Sequence, residues 1–465
     1  MSSPSRYLVS APGKVILFGE HAVVYGKTAI AGSLDGLRTY VFFEKRDDGF
    51  LELNLPKLGL QHPLLWPISA LPYSKVTTVS KENNSLQEST INEELLKSLK
   101  EIVLDGNAGN KNNQEINELQ QVAASVFLYL YASLEDKQTS WCGTTVHIAS
   151  NLPVGAGLGS SAAYSVCLAT GLLLVLGHIT IPNYGEKVGG FNISDSSSPM
   201  NLINRWAFQA EKIIHGTPSG IDNAVATYGG AVSFSKGVME NVIEFQSLRF
   251  LLTNTKVPRN TRTLVANVRK LHDKCPHIVV PILEAIEGIS SKFKEIINSG
   301  DSQKELNQNI EELIDFNHYL LNSLRVGHPS IDKVREIAAQ YSLHSKLTGA
   351  GGGGCVLTLL RDDVPNDDIM KIMLNLTSIG FECFETKVGG HGISILDAST
   401  ISKQEFLSSE NIQQFSEVTD LIYHKENTSY FVALYREIKT VCDKPLYKEK
   451  KNYTQIKNRE EKIYA

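Results

Sequence analysis

The chain has 465 residues, 42% hydrophobic and 20% charged, a length and composition that suit two globular domains with sizeable cores. Its 45 basic and 50 acidic side chains leave a net charge of −5, which argues against generic binding to nucleic acid or to an anionic membrane. We therefore expect neither of these as a partner.

The amino-terminal part predicts short strands of an antiparallel sheet. Apolar residues at 7–10 and 15–18 flank a break at Pro-Gly, and the alternation over 37–44 and 51–55 is typical of half-buried strands. Residues 74–118 are polar and rich in Asn, Ser, Glu and Lys, and the Asn- and Gly-rich piece around 105–113 predicts a surface insertion or mobile loop.

The middle of the chain predicts a strand between helices. A helix over 116–131 and a strand over 144–149 lead to a glycine-rich stretch, and the apolar run over 162–176 then predicts a buried helix, too short to span a membrane. After a soft loop near 189–199, apolar residues at helical spacing over 200–215 predict an amphipathic helix with Glu211 near its buried edge.

The second half predicts mainly helices. Strands near 231–234 and 250–252 precede helical segments from 263 to about 340. A strand is predicted at 355–360, and two more lie within 381–396. Beyond about 402 the composition changes, and the charge-dense sequence predicts an appendage that is helical around 428–441 and frayed at its end.

The cysteines and the amino terminus indicate a cytoplasmic protein. No CxxC pair occurs, and Cys167 and Cys355 lie in apolar runs, which is typical of reduced, buried thiols and not of a disulfide frame or zinc site. The first fourteen residues lack the basic region and apolar core of a secretory signal.

The most informative segment is the glycine-rich loop at 152–161, Leu-Pro-Val-Gly-Ala-Gly-Leu-Gly-Ser-Ser. Glycines let backbone N–H groups approach a ligand, and the following helix start adds unpaired N–H groups and a positive dipole end, so we expect a phosphate cradle. A Walker sequence is absent, and Ser160 stands where a dinucleotide fingerprint needs glycine. The hydroxyls of Ser160 and Ser161 could cap the helix or ligate Mg²⁺.

Three further residues with reactive side chains are crowded into 10–21. Lys14, Glu20 and His21 surround a glycine-broken strand, although each alone has an ordinary structural explanation. In 211–226 a Pro-Ser-Gly turn opens a second helix with Asp222 in its first turn. The helix dipole would keep that carboxylate ionised and able to accept a proton, or the carboxylate could merely stabilise the helix.

The string at 346–355, Lys-Leu-Thr-Gly-Ala-Gly-Gly-Gly-Gly-Cys, places consecutive glycines before a buried strand. A tight turn needs only one or two glycines, so the run indicates that something approaches this backbone closely. Together with Ser-Ala-Pro-Gly-Lys at 10–14 and the loop at 153–162, this third motif resembles the three motifs of the GHMP small-molecule kinases.

Within that superfamily the chain resembles the eukaryotic members that act on mevalonate. The resemblance rests on the strings at 18–26, 215–225 and 252–261, and a galactokinase would carry Glu-His-Thr-Asp where this chain has Glu-His-Ala-Val. It covers about residues 6–400, while the insertions near 74–118 and 180–199 depart from the compact family pattern.

The resemblance implies ATP-dependent phosphorylation of the 5-hydroxyl of mevalonate, an early step of isoprenoid and sterol precursor synthesis. Asp222 would take the hydroxyl proton, Lys14 would neutralise developing charge, and Mg²⁺ would be held by Ser161 and Glu211. The ATP phosphates are expected over Gly155, Ala156, Gly157, Leu158, Gly159, Ser160 and Ser161. Substrate contacts are expected at His21, Glu20, Ser219, Thr261 and Gly351.

The resemblance also implies an α+β fold of two domains with the active site in the cleft between them. We assign residues 1–235 to the amino-terminal GHMP kinase domain, 236–401 to the carboxy-terminal one, and 402–465 to an appendage of unknown role. A homodimer inhibited by prenyl diphosphates at the ATP site is expected. Two alternatives stay open, namely a GHMP kinase for another alcohol, such as phosphomevalonate or a sugar, and a catalytically dead ligand-binding relative.

Overall fold

The computed structural model describes residues 6–75, 90–105, 115–135, 143–180, 198–242 and 247–398, all within one compact unit. The predicted loops at 105–113 and 189–199, apart from the ends of their flanking helices, and the appendage with its helix at 428–441 lie outside the described residues.

The described amino-terminal elements comprise five strands of the sheet and two α-helices. In chain order they are β1 (Arg6–Phe18), β2 (Ala29–Arg46), β3 (Phe50–Asn54), β4 (Leu64–Pro67), α1 (Glu93–Asp105), α2 (Glu118–Leu134) and β5 (Gly143–Ser150). The description of 74–118 as polar holds only in part, because α1 lies within this segment. Its Leu95, Leu99 and Val103 recur at helical spacing and are buried in the main core.

β1 is one strand, so the predicted break at Pro12-Gly13 is wrong. Between the pairs Pro12–Arg38 and Lys14–Ser33, β1 advances by two residues and β2 by five, which is an irregularity of register within a continuous strand. A Cβ on Gly13 would lie 2.4 Å from the Leu152 side chain and 2.7 Å from the Leu158 carbonyl oxygen. Glycine is therefore required because the chain just before α3 packs directly on this backbone.

The central elements carry the helices of the site. They are α3 (Ser160–Val175), α4 (Pro199–His215), α5 (Ile221–Tyr228), β6 (Ala231–Ser235), β7 (Val238–Asn241) and β8 (Leu248–Asn254). α3 is buried along almost its whole length, as its unbroken apolar run predicts. It packs closely on β2, since a Cβ on Gly171 would lie 1.9 Å from the ring of Phe43. None of the described helices combines the length and apolar character needed to cross a membrane.

The carboxy-terminal elements alternate between helices and a second group of strands. They are α6 (Thr261–Lys274), α7 (Pro276–Ile297), α8 (Gln303–Ser323), α9 (Pro329–Ala339), β9 (Ser345–Leu347), β10 (Cys355–Leu359), α10 (Asn366–Ser378), β11 (Glu382–Val388) and β12 (Ser394–Asp397). A second core, which includes Leu283, Leu321 and Val356, is buried among them.

The described strands form one hydrogen-bonded arrangement in the order β4-β3-β5-β2-β11-β8-β10-β9. β1 pairs with both β2 and β12, and β6 pairs with β2 and β7. All pairs are antiparallel except β3 with β5. Among the described residues, β2 and β11 pair only where Leu34 faces Val388, and β12 joins the amino-terminal strands through β1. The predicted α+β class is confirmed, and the domain limits at 235 and 401 stay predictions.

The prediction of reduced, buried thiols is confirmed at two positions. Cys167 and Cys355 are both free and buried. Burial raises the pKa of each thiol, so both remain protonated near neutral pH and behave as small apolar side chains.

Candidate active site

The glycine-rich loop links β5 to α3 through three left-handed residues. Gly155, Gly157 and Gly159 have φ values of 73°, 76° and 73°, conformations that other residues rarely adopt. Gly159 is the N-cap of α3, and no side chain caps that helix. The alternative in which Ser160 or Ser161 serves only as the N-cap is therefore wrong. The first N–H groups of α3 are left for a ligand, at the positive end of the dipole.

The loop lies directly against β1 at Lys14. The backbone N–H of Lys14 donates to the carbonyl oxygen of Leu158 at 2.8 Å. A Cβ on Gly159 would lie 3.0 Å from Cγ of Lys14. The contact fixes the Lys14 side chain beside the start of α3.

Lys14 meets Asp222 in front of that loop. Lys14 Nζ lies 3.3 Å from Asp222 Oδ1, with the Lys14 residue 9% exposed and the Asp222 side chain 36% exposed. Asp222 is in the first turn of α5, after Gly220 with φ 83°. The two predicted catalytic residues are thus in contact, one held by a strand and the other by a helix start.

Glu211 completes the charged set from α4. It is 2% exposed, accepts a hydrogen bond from Ser165 Oγ at 3.1 Å on Oε1, and is 3.4 Å from Ser161 Oγ on Oε2. Burial, and then the negative charge of Asp222, raise the pKa of Glu211 to about 7. The negative charge of a buried carboxylate is repelled by a second carboxylate beside it, and a bound cation would offset this repulsion.

These oxygen donors fit magnesium when a nucleotide supplies the remaining ligands. Mg²⁺ prefers oxygen and is usually bound by one or two carboxylates together with substrate phosphates. Within the described part of the chain, no cluster of three or more His, Cys, Asp or Glu side chains could hold a metal ion. A cation at Ser161 and Glu211 would therefore depend on phosphate oxygens.

His215 is a neighbour that the sequence analysis missed. Its Nε2 shares a hydrogen bond with Ser161 Oγ at 3.1 Å, and it follows Glu211 by one turn of α4. The i, i+4 spacing of Glu211 and His215 was the available signal, because such residues share a helix face.

Of the residues expected to contact the substrate, His21 is buried, whereas Ser219 and Thr261 are exposed. His21 has a left-handed φ of 60°, is buried, and donates through Nε2 to the Ala350 carbonyl of the third motif at 2.9 Å. Burial lowers the pKa of His21, so the ring is neutral near pH 7. Ser219 is exposed in the turn before α5, and Thr261 is exposed as the first residue of α6.

Both carboxylate oxygens of Glu20 are bonded to other side chains of the protein. Its Oε1 is paired with Lys346 Nζ, and its Oε2 accepts from Asn317 Nδ2 at 2.9 Å, all in the interior. The geometry therefore favours a role in positioning the turn that carries His21. Gly351, with φ 74°, has no room for a side chain, because a Cβ there would lie 2.2 Å from the Val326 carbonyl oxygen.

The third motif is fastened to the first strand. Thr348 Oγ1 donates to the Ile16 carbonyl at 2.8 Å and accepts from the Ile16 N–H at 3.1 Å. Three segments distant in sequence, the first motif, the glycine-rich loop and the third motif, are thereby held around one site.

Arg259 is the second residue that the sequence analysis did not single out, although it lies in a string quoted for the resemblance. Its Nη2 donates to the carbonyl oxygen of Ala156 at 2.6 Å. A Cβ on Gly157 or on Gly354 would come within 1.9 Å of its guanidinium nitrogens. One arginine thus fills the space between the glycine-rich loop and the third motif.

An apolar cavity of about 160 Å³ opens beside the start of α3. Its lining combines aliphatic side chains that follow β3 or lie on α2, β5 and α4 with Ser160, Ser161 and Tyr164. The aliphatic lining residues are Leu55, Leu58, Leu119, Val122, Ala123, Ile148, Leu152, Val154 and Ile214. Such a cavity suits a flat, largely apolar group joined to phosphates.

Two family models match the chain: the GHMP kinases N terminal domain over residues 121–230 and the GHMP kinases C terminal model over residues 302–375. Among curated proteins, the chain is 43% identical over 400 residues to the mevalonate kinase of Homo sapiens, covering 85% of this chain and 96% of that protein.

Solved structures share the fold. The mevalonate kinase of Methanococcus jannaschii superposes with a TM-score of 0.57 at 22% identity, covering 82% of this chain and 98% of that one. The L. major mevalonate kinase in complex with R-mevalonate gives 0.56 at 21% identity, covering 84% and 100%.

Proposed function

Since the chain belongs to the mevalonate kinase family of the GHMP kinases, we propose that it transfers the γ-phosphoryl group of ATP to the 5-hydroxyl of mevalonate. The observation that carries the proposal is the 3.3 Å contact between Lys14 Nζ and Asp222 Oδ1, directly in front of the glycine-rich loop. A proton acceptor and a cation beside a phosphate cradle are what in-line phosphoryl transfer requires of a protein.

Asp222 and Lys14 act on the alcohol. The Asp222 carboxylate accepts the hydroxyl proton as the oxygen attacks, and its partial exposure leaves room for a substrate. The Lys14 ammonium, nearly buried, stabilises negative charge on the attacking oxygen and on the transferred group more strongly than it would in water.

The nucleotide is placed by the loop and the adjoining cavity. Backbone N–H groups of 155–161 receive its phosphates, and the apolar cavity beside Ser160 and Ser161 takes its base. Ser161 and Glu211 hold Mg²⁺, which when bound neutralises charge on the phosphate oxygens. Their 3.4 Å separation and the burial of Glu211 support this assignment.

Of the two alternatives, a kinase for another alcohol is tested by substrate range. Purified full-length chain is assayed by coupled ADP release with mevalonate, phosphomevalonate, galactose and homoserine. We expect turnover with mevalonate far above the other three. Dominant turnover with a different alcohol would refute the substrate assignment, and no turnover with any would favour the catalytically dead relative.

The role of Asp222 has a direct test. Asp222→Asn should leave ATP binding nearly intact and lower kcat by several orders of magnitude, because the amide cannot accept the proton. Asp367→Asn is the matched control, since Asp367 also lies in the first turn of an exposed helix start, in α10. Near-normal turnover of Asp222→Asn would remove this residue from the mechanism. Homodimeric assembly and a cytoplasmic location remain predictions.

A further inference from the structure

The Arg259 side chain is a half-buried cation. Its Nη1 is buried with no hydrogen-bond partner, and it forms no ion pair within the described residues. Burial lowers the pKa of Arg259, which reflects the cost of removing the charge from water. A desolvated charge with a spare donor is unfavourable unless an anion pairs with it.

Among the described residues, no carboxylate forms an ion pair with Arg259. Its electrostatic neighbour is Cys355, but burial raises the pKa of that thiol to about 12, so it is neutral near pH 7. The carbonyl oxygen of Ala156 accepts one hydrogen bond from Arg259 and a second, at 3.4 Å, from Cys355 Sγ. Because that carbonyl keeps a donor without the arginine, bracing the loop does not account for a buried charge here.

Two glycines leave the space that the Arg259 side chain fills. Gly157 and Gly354 come from separate motifs, and each lacks the Cβ that would collide with a guanidinium nitrogen at 1.9 Å. Lys14 contacts the same loop through Leu158, and its ammonium already has Asp222 as its partner. The site therefore carries a second, unpaired cation next to the glycine-rich loop.

We propose that Arg259 is a phosphate-binding residue of this site, whose unpaired Nη1 donates to a phosphate oxygen of the bound nucleotide while Nη2 holds the loop at Ala156. The inference rests on the proposed function for the identity of the anion. Arginine suits the role, since its fork of donors can hold a backbone carbonyl and a phosphate oxygen together.

The test compares ADP with adenosine as ligands of the full chain, by calorimetry in magnesium-containing buffer, for wild type, Arg259→Met and Arg259→Lys. Loss of a charge-assisted bond should weaken ADP binding about 10-fold to 100-fold in Arg259→Met, with adenosine binding changed less than about twofold. Arg259→Lys, which keeps the charge, should lose less. Arg262→Met, an exposed arginine at the start of α6, is the matched control and should bind ADP as wild type does.

Unliganded stability separates this role from a structural one. Removal of an unpaired buried charge should leave the melting temperature of Arg259→Met unchanged or raised, while the increase produced by ADP becomes smaller. A lowered melting temperature with ADP affinity kept, or an equal loss for ADP and adenosine, would overturn the assignment. If wild type does not bind ADP, the proposed function itself fails, whereas turnover of mevalonate with normal ADP binding by Arg259→Met refutes only the arginine's role.

Discussion

Replacing Lys346 by Met should destabilise the protein strongly, because it breaks an ion pair in the interior. The Lys346 and Glu20 side chains are 1% and 0% exposed. Besides Glu20, the Lys346 ammonium donates to the carbonyl oxygens of Leu17 at 2.8 Å and Leu347 at 2.9 Å. The substitution leaves a buried carboxylate with only Asn317 as a hydrogen-bond partner among the described residues.

The expected loss is about 3–5 kcal/mol of the free energy of unfolding, the usual effect of removing one partner of a buried pair. That is a large part of the total of roughly 5–15 kcal/mol for a typical protein. Adding Glu20→Gln removes the orphaned charge and should recover part of the loss, which a double-mutant cycle measures as coupling between the two sites.

Urea unfolding of the full chain is the assay, with stability read from the midpoint at unchanged slope. Lys371→Met is the matched control, since Lys371 forms only an exposed ion pair with Asp368 on α10 and should cost less than about 1 kcal/mol. Because Glu20 precedes His21, we also expect the KM for mevalonate to rise more than kcat falls. A loss below about 1 kcal/mol for Lys346→Met, or no recovery in the double variant, would refute the reasoning.

Two other predictions concern α3 and its neighbour on α4. The proposed magnesium site needs an ionised Glu211, whose pKa is raised to about 7 by burial and by Asp222. The affinity for magnesium and ADP together, measured by calorimetry, should therefore rise roughly tenfold per pH unit up to about pH 7 and level off above it, a dependence that Glu211→Gln should abolish. Gly171→Val should lower the midpoint of urea unfolding by the equivalent of about 1–3 kcal/mol or more, because its side chain would overlap the ring of Phe43, and an unchanged midpoint would contradict this packing.

Local pattern was enough to predict most of the secondary structure. α3 follows from an unbroken apolar run and α4 from apolar residues at helical spacing, and both periodicities are properties of the chain itself. Pattern misled at Pro12-Gly13, where a Pro-Gly pair reads as a break. β2 pairs with β1 before and after this step and so continues the strand, while β12, from the far end of the described chain, pairs with Tyr7 to Ser10.

The candidate site divides in the same way. The sequence by itself determined which groups were available, namely a loop with three alternating glycines before a helix, a carboxylate at a second helix start, and a lysine beside a glycine. It could not determine that Glu20 would form an ion pair with Lys346. Nor could it determine that Arg259 would lie between two glycine motifs with no counter-ion among the described residues. Those outcomes depend on through-space contacts between segments hundreds of residues apart, and only the packed tertiary structure decides which buried charges have partners.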